Sequence, residues 1–289
     1  MTSSHSSLRF QVVESVSHPG ARLNEDGVVI RDSGGWVVDG ASGLTDAHLT
    51  PGASDAHWLM DRLTAHLGTS TILSPATDLL TAADHVYQEF DGLKVLPRLH
   101  QYEYPSASVV GCSFSMGTLQ AVRLGDCSLL LQPSSGGDVV KFHRSLLRDL
   151  DDAVVAQMTQ TQAKERMTGS DAYTSALPHL RKNRSLINEV DGYSALTMGR
   201  NRSVVPDTLE VHVTQPSVGL LCSDGFWRLV ETFSLYTEHD LLPACQRKGL
   251  AALITELRST EHGDPDGLQF PRLKGSDDAT AVLFEVVPS

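Results

Sequence analysis

Strand-like apolar runs recur from residue 10 to residue 287, and four of them stop or start beside an aspartate. Trp36-Val37-Val38 leads into Asp39, Val122-Arg123-Leu124-Gly125 into Asp126, and Gly219-Leu220-Leu221-Cys222-Ser223 into Asp224, while Asp277 stands just ahead of the run 279–287. In antiparallel pairing the end of one strand lies beside the start of the next, about 4.8 Å away, so several of these acids can meet at one sheet edge. Carboxylates that close repel one another and take up protons unless a cation compensates. An all-oxygen, histidine-free set suits a hard ion, Mg²⁺ or Mn²⁺, better than zinc. Taken singly, Asp39-Gly40 and Asp224-Gly225 also read as ordinary turn dipeptides.

The pattern along the chain predicts antiparallel sheets with interspersed helices, an α+β layered fold rather than an alternating βαβ one. Strands are expected at 10–16, 27–31 and 35–38 as a β-meander, with turns at His18-Pro19-Gly20 and Asp32-Ser33-Gly34-Gly35. Helices are expected at 54–67 and from Pro75 onward, the second capped by Ser74 and carrying Leu79, Leu80, Ala83, Val86, Tyr87 and Phe90 on one face. Strands at 107–115, 118–124 and 127–132 read as consecutive hairpins, the first turn being Met116-Gly117. A helix follows at 146–158, whereas 181–199 shows no clean period. Strands at 209–213 and 218–222, a helix holding Leu250, Leu253, Ile254 and Leu257, and a strand at 279–287 complete the pattern. No repeat or composition break divides the 289 residues, so a single domain over 1–289 is expected.

With 23 Lys plus Arg against 35 Asp plus Glu, the formal charge of -12 argues against nucleic-acid or anionic-lipid partners. The four cysteines stand singly without CxxC spacing, each in an apolar stretch, which suits reduced thiols. No apolar run approaches the roughly 20 residues that span a bilayer. A cytoplasmic monomer is the expectation. Cys222 sits in a buried-looking strand, where its thiol would be a poor nucleophile.

In order, the segments NEDGVV (24–29), WVVDGASG (36–43), SASVVG (106–111), VRLGDCSLLL (122–131), LLCSDGFWRLV (220–230) and SDDATAVLFEV (276–286) resemble the motifs of the PP2C family of metal-dependent Ser/Thr protein phosphatases, in a divergent, bacterial-type form. The resemblance implies a β-sandwich of two antiparallel sheets flanked by helices in αββα layers, with two Mn²⁺ or Mg²⁺ ions at one end. By that likeness Asp39 bridges both ions, Gly40 offers its carbonyl, Glu25 joins Gly40 on one ion, and Asp224 and Asp277 hold the other. Asp26 acts from behind, and Asp126 is the candidate ligand for a third ion. Asp278 is the fallback for Asp277.

The family's phosphate-binding arginine falls at Ala21, which leaves Arg22, one residue on, as the candidate contact. Ala41 stands where many eukaryotic members have histidine, and Gly125-Asp126-Cys127-Ser128 replaces the frequent Gly-Asp-Ser-Arg. The region 160–205, with basic Arg181-Lys182-Asn183-Arg184, Arg200 and Arg202, is expected to form the flap that borders the cleft. The implied activity is hydrolysis of phosphoserine or phosphothreonine in a phosphorylated protein partner by a metal-activated water. Two other readings stay open: a pseudophosphatase or sensor that binds without turnover, and a phosphomonoesterase acting on small molecules.

Overall fold

Two antiparallel sheets lie face to face, each covered on its outer side by helices, in a computed structural model describing residues 8–69, 74–98, 100–143, 146–165 and 169–289. In chain order the elements are β1 (Leu8–His18), β2 (Asp26–Arg31), β3 (Gly34–Ala41), α1 (Asp55–Thr69), α2 (Pro75–Gly92), β4 (Ser106–Ser115), β5 (Thr118–Leu124), β6 (Ser128–Pro133) and β7 (Val140–Phe142). They continue with α3 (Leu146–Glu165), α4 (Gly169–Arg184), β8 (Leu196–Thr197), β9 (Asp207–His212), β10 (Ser217–Cys222), α5 (Asp224–Trp227), α6 (Glu238–Lys248), α7 (Leu250–Gly263) and β11 (Ala279–Pro288). One sheet runs β1-β11-β10-β6-β7; the other runs β2-β3-β4-β5-β9, with β8 on β4.

The central strands are apolar at nearly every position because both of their faces are covered. In β3, Trp36 and Val38 face α1 and α2, while Val37 faces the other sheet. In β11, Ala281 and Leu283 meet the α6–α7 side, and Val282, Phe284 and Val286 fill the gap between the sheets. The Val, Leu and Phe side chains among them contribute about 1.5–3 kcal/mol each when fully buried. Glycine makes room for the largest rings: a Cβ on Gly111 would stand 2.0 Å from the Trp36 ring, and one on Gly219 would stand 2.1 Å from Phe284.

Local chemistry closes the elements as their sequences require. Ser74 Oγ accepts the Thr77 amide at 3.2 Å, with Pro75 opening α2, a cap of about 1 kcal/mol. Met116 (φ 48°) and Gly117 (φ 78°) form the two-residue turn between β4 and β5, both left-handed as a type I′ hairpin requires.

Pairing departs from two expectations. The meander fails because β1, which runs on through His18, belongs to the other sheet. It pairs with β11, and Phe10 stacks on Phe284 at 4.9 Å. Alternate β1 side chains, Leu8, Phe10 and Val12, thereby pack into the space between the sheets. Likewise β6 does not continue the β4–β5 hairpin but crosses over to pair with β10 and β7, while β9 takes the edge beside β5.

Helices α4 and α6 were not legible in the sequence. Each holds an internal proline, Pro178 or Pro243, and among the described residues of α4 only Ala172, Ala176 and Leu180, at steps of four, are buried. The α3–α4 pair begins at Leu146, ahead of the expected flap boundary, and residues 166–168 lie outside the described residues. No helix among the described residues is long and apolar enough to cross a membrane.

Candidate metal centre

Strand register builds the acidic end of the sandwich. Asp26 of β2 stands opposite Asp39 of β3. Because strand side chains alternate, Asp39 shares the face of Val37 and points between the sheets at their open end. The Gly40 amide donates to the Glu25 carbonyl at 3.1 Å, so Glu25 is fastened beside Asp39. Gly40 has no room for a side chain, since a Cβ would meet the Glu25 carbonyl oxygen at 2.8 Å and that of Ala56 at 3.0 Å. The Glu25 carboxylate accepts the Ser54 hydroxyl, and Ser42 Oγ at 3.4 Å.

From the other side come Asp126, Asp224 and Asp277. Gly125 turns the chain after β5 with φ 77°, a left-handed conformation that favours glycine, and any Cβ there would strike Ser108. The Ser223 and Thr280 backbones bond at 2.9 Å, which aligns Asp224, at the start of α5, with the residues leading into β11. Asp277 accepts Arg228 Nη2 at 2.8 Å and Lys274 Nζ at 3.0 Å. Its neighbour Asp278 turns the other way. One Asp278 oxygen accepts the Gly20 amide at 2.7 Å and the other accepts the Glu25 amide at 2.6 Å, so both are committed to holding the 20–25 loop.

Glu25, Asp39, Gly40, Asp126, Asp224 and Asp277 all line one cleft of about 740 Å³. Asp26 lies behind it, buried. Arg22 is exposed and does not line the cleft.

The acids disturb one another strongly. Burial, then Asp26, Asp224, Asp126 and Asp277, push the Asp39 carboxyl well above the usual range. Burial, then Asp277 and Asp126, raise Asp224 to about 6, against Arg228 and a hydrogen-bonding Asp39 that pull it down. Asp26 is raised chiefly by burial. The Ser223 and Thr280 hydroxyls lie near enough to oppose that rise, yet neither Asp26 oxygen has a well-formed hydrogen bond. Asp277 alone moves down: burial works against its charge, but Lys274 and Arg228 outweigh it.

Among the described residues, no group of three or more His, Cys, Asp or Glu side chains is arranged as a ready metal site. The donor set nonetheless fits hard divalent cations. It is all oxygen, it is crowded enough to hold protons in their place, and it includes a buried carboxylate without a firm donor.

The far wall of the cleft comes largely from residues that sequence reasoning did not single out. Arg148 and Asp151 of α3 line it, with Arg184 of α4, Tyr193, Arg228 and Lys274. Burial and Asp126 raise Asp151 to about 7, against the pull of Arg184. Only Arg184 carried a sequence signal, as part of the basic run 181–184. Of that run, Arg181 is turned to the Leu44 carbonyl at 3.1 Å and stacks over Tyr102. Cys222 is wholly buried, and burial pushes its thiol far up.

No family model and no curated protein sequence matches the chain. Solved structures do. A Mycobacterium tuberculosis serine/threonine phosphatase, PstP/Ppp, is 18% identical with a TM-score of 0.56, covering 97% of this chain and 99% of that one. The PstP catalytic domain has also been seen in complex with two manganese ions, at the same identity and TM-score. Serine/threonine phosphatase Stp1 from Staphylococcus aureus is 12% identical, with a TM-score of 0.54 over 98% of this chain and 96% of its own. PppA, a regulatory component of T6SS in Pseudomonas aeruginosa, is 14% identical, with a TM-score of 0.54 and coverage of 96% and 98%. The chain has the fold of the bacterial PP2C-type Ser/Thr phosphatases, in two antiparallel sheets flanked by helices.

Proposed function

We propose that the chain is a metal-dependent phosphoprotein phosphatase that hydrolyses phosphoserine or phosphothreonine. The observation that carries this reading is the meeting of Glu25, Asp39, Asp126, Asp224 and Asp277, from five separate stretches of sequence, in one cleft. The fold likeness to phosphatases, one of them seen with two manganese ions, supports it.

In this reading Glu25, Asp39, the Gly40 carbonyl, Asp224 and Asp277 hold two Mn²⁺ or Mg²⁺ ions, and Asp126 serves a third. When bound, such ions neutralise the carboxylates and lower the pKa of a water towards neutrality for in-line attack at phosphorus. The protein's own part is to hold the acids in place and to keep Asp277 ionised. Lys274 and Arg228 do this for Asp277. Ser54 and the Asp278 bond to the Glu25 amide fix Glu25, and Asp26 backs Asp39 across the strand pair. The open cleft receives a phosphorylated side chain of a protein partner.

The test is hydrolysis of a phosphothreonine peptide and of an aryl phosphate, with Mn²⁺, with chelator, and in Asp224→Asn. Loss of a charge-stabilising metal ligand is worth several kcal/mol, so a drop of about 10³-fold or more in kcat is expected, with turnover equally absent in chelator. Wild-type protein loaded with Mn²⁺ that turns over neither substrate rules the reading out. A clear preference for the aryl phosphate over the peptide moves the substrate class to small phosphomonoesters.

A further inference from the structure

Among the described residues five cations line the cleft, and four are already engaged by carboxylates. Arg148 is held by Glu231 at 2.5 Å, Arg228 by Asp277 at 2.8 Å and Glu261 at 3.4 Å, Arg272 by Asp264 at 2.9 Å, and Lys274 by Asp277 at 3.0 Å. Arg148 also donates to the Asp126 carbonyl at 2.9 Å and lies over the Trp227 ring.

Arg184 differs. Among the described residues no carboxylate stands within ion-pair distance of it; its Nη1 donates to Ser106 Oγ at 2.9 Å and to the Ser42 carbonyl at 3.4 Å. These neutral acceptors orient the guanidinium without cancelling its charge. The Nε and Nη2 donors remain for a ligand.

Its anchors place it beside the acids. Ser42 follows Gly40 by two residues, and Ser106 is the register partner of Ala41, so the guanidinium is tied to the strand ends that present Asp39. An oriented guanidinium that makes no salt bridge among the described residues, and interacts with Asp151 of the same cleft only at longer range, suits a tetrahedral oxyanion, which the planar fork can grip through two oxygens. Arg22, exposed and outside the cleft, has no such placement.

We infer that Arg184, at the end of α4, is the residue that grips the phosphoryl oxygens of the substrate, in the place that the sequence suggested for Arg22. This rests on the phosphatase reading above and adds its anion subsite. The grip comes from the α3–α4 pair and not from the sandwich, so the two halves of the reacting centre are carried by separate layers of the molecule.

The experiment measures inorganic phosphate binding by calorimetry in saturating Mg²⁺, beside kcat and KM for the phosphothreonine peptide, in wild type, Arg184→Ala, Arg184→Lys and Lys182→Ala. Lys182→Ala removes the same charge from an exposed position two residues away. Losing a charge-assisted, two-oxygen contact is expected to weaken phosphate binding about 10- to 100-fold in Arg184→Ala. Arg184→Lys should recover part of the affinity, and Lys182→Ala should bind as wild type does. Separate titrations with Mn²⁺ should give one metal affinity for all four proteins.

Phosphate affinity unchanged in Arg184→Ala overturns the inference, as does a wild type that binds no phosphate. Equal weakening in Arg184→Ala and Lys182→Ala overturns it too, because general electrostatics would then account for the effect. If Arg184→Ala melts early, the decision passes to Arg184→Lys, whose wild-type phosphate affinity and KM would equally sink the idea. If wild type hydrolyses nothing yet Arg184→Ala alone loses phosphate, the catalytic reading fails and the anion subsite stands.

Discussion

The sandwich and the α3–α4 pair hold their functional side chains by very different means. In the sandwich, ladder register and three broad apolar clusters fix Asp39, Asp224 and Asp277 through the backbone itself. The helix pair rests on two small clusters: Val154, Met158, Ala172, Ala176 and Leu180, with Leu44 and Leu273 packed against them, and Ile187, Tyr193 and Ala195, against which Leu147 and Leu150 of α3 pack. Few buried contacts mean a low cost of local opening. The difference teaches that the acids form a stiff frame, while Arg148, Asp151 and Arg184 are carried by a layer able to open separately.

The largest way to break the comparison is to hollow out both regions. Phe284→Ala, which empties the space between the sheets beside Phe10 and Gly219, should cost about 3–5 kcal/mol and lower the global melting temperature. Met158→Ala should lose less than the usual 2–5 kcal/mol of a core site from global stability, because the opening is local. Hydrogen exchange would instead quicken across α3 and α4 alone. A Met158→Ala protein that loses protection in the sheets as well would show that the two layers fold as one unit.

The next effect sharpens the frame's electrostatics. Asp224 has its folded pKa raised from 3.8 to about 6, so its contribution to stability is present below about pH 4 and is lost as pH rises through 6. At pH 7 that loss is about 3 kcal/mol in the metal-free protein. Asp39 and Asp26 shift in the same direction; Asp277, lowered, contributes in the opposite sense. Metal must displace the protons on the raised acids, so the rise in melting temperature on adding Mn²⁺ should grow from pH 5 to pH 8. A gain that stays flat or shrinks with pH would contradict the shared acidic centre. The smallest effect is a null: native protein treated with iodoacetamide at pH 8 should remain unlabelled at Cys222, whose thiol burial keeps neutral.

Where apolar spacing was regular, the fold was legible. The Ser74-capped α2 and the Met116-Gly117 hairpin emerged as read, and the doubly covered β10 and β11 closely matched their apolar runs. Pairing was less so. Nothing local tells β1 that its partner is β11, because a strand's own alternation says which face is apolar but not which edge is free. For α4 the signal was weak from the start, with small alanines on its buried face and Pro178 in its interior.

The acidic residues themselves were visible as aspartates at strand ends, and it was their recurrence at four such ends, not any one of them, that set them apart from turn residues. Between Asp277 and Asp278 the resemblance preferred Asp277; what no local signal gave is that both Asp278 oxygens accept backbone amides, of Gly20 and Glu25. Arg184 reaches the cleft only because α4 ends against Ser42 and Ser106, residues 142 and 78 positions away. The sequence alone therefore determined the layered class, the covered strands and the supply of acids, since burial on two faces and turn chemistry are local properties. Which carboxylates share a cleft, and which cation among the described residues stands there without a salt bridge, was decided by tertiary structure: charges act through space, and only packing sets the distances between segments far apart in the chain.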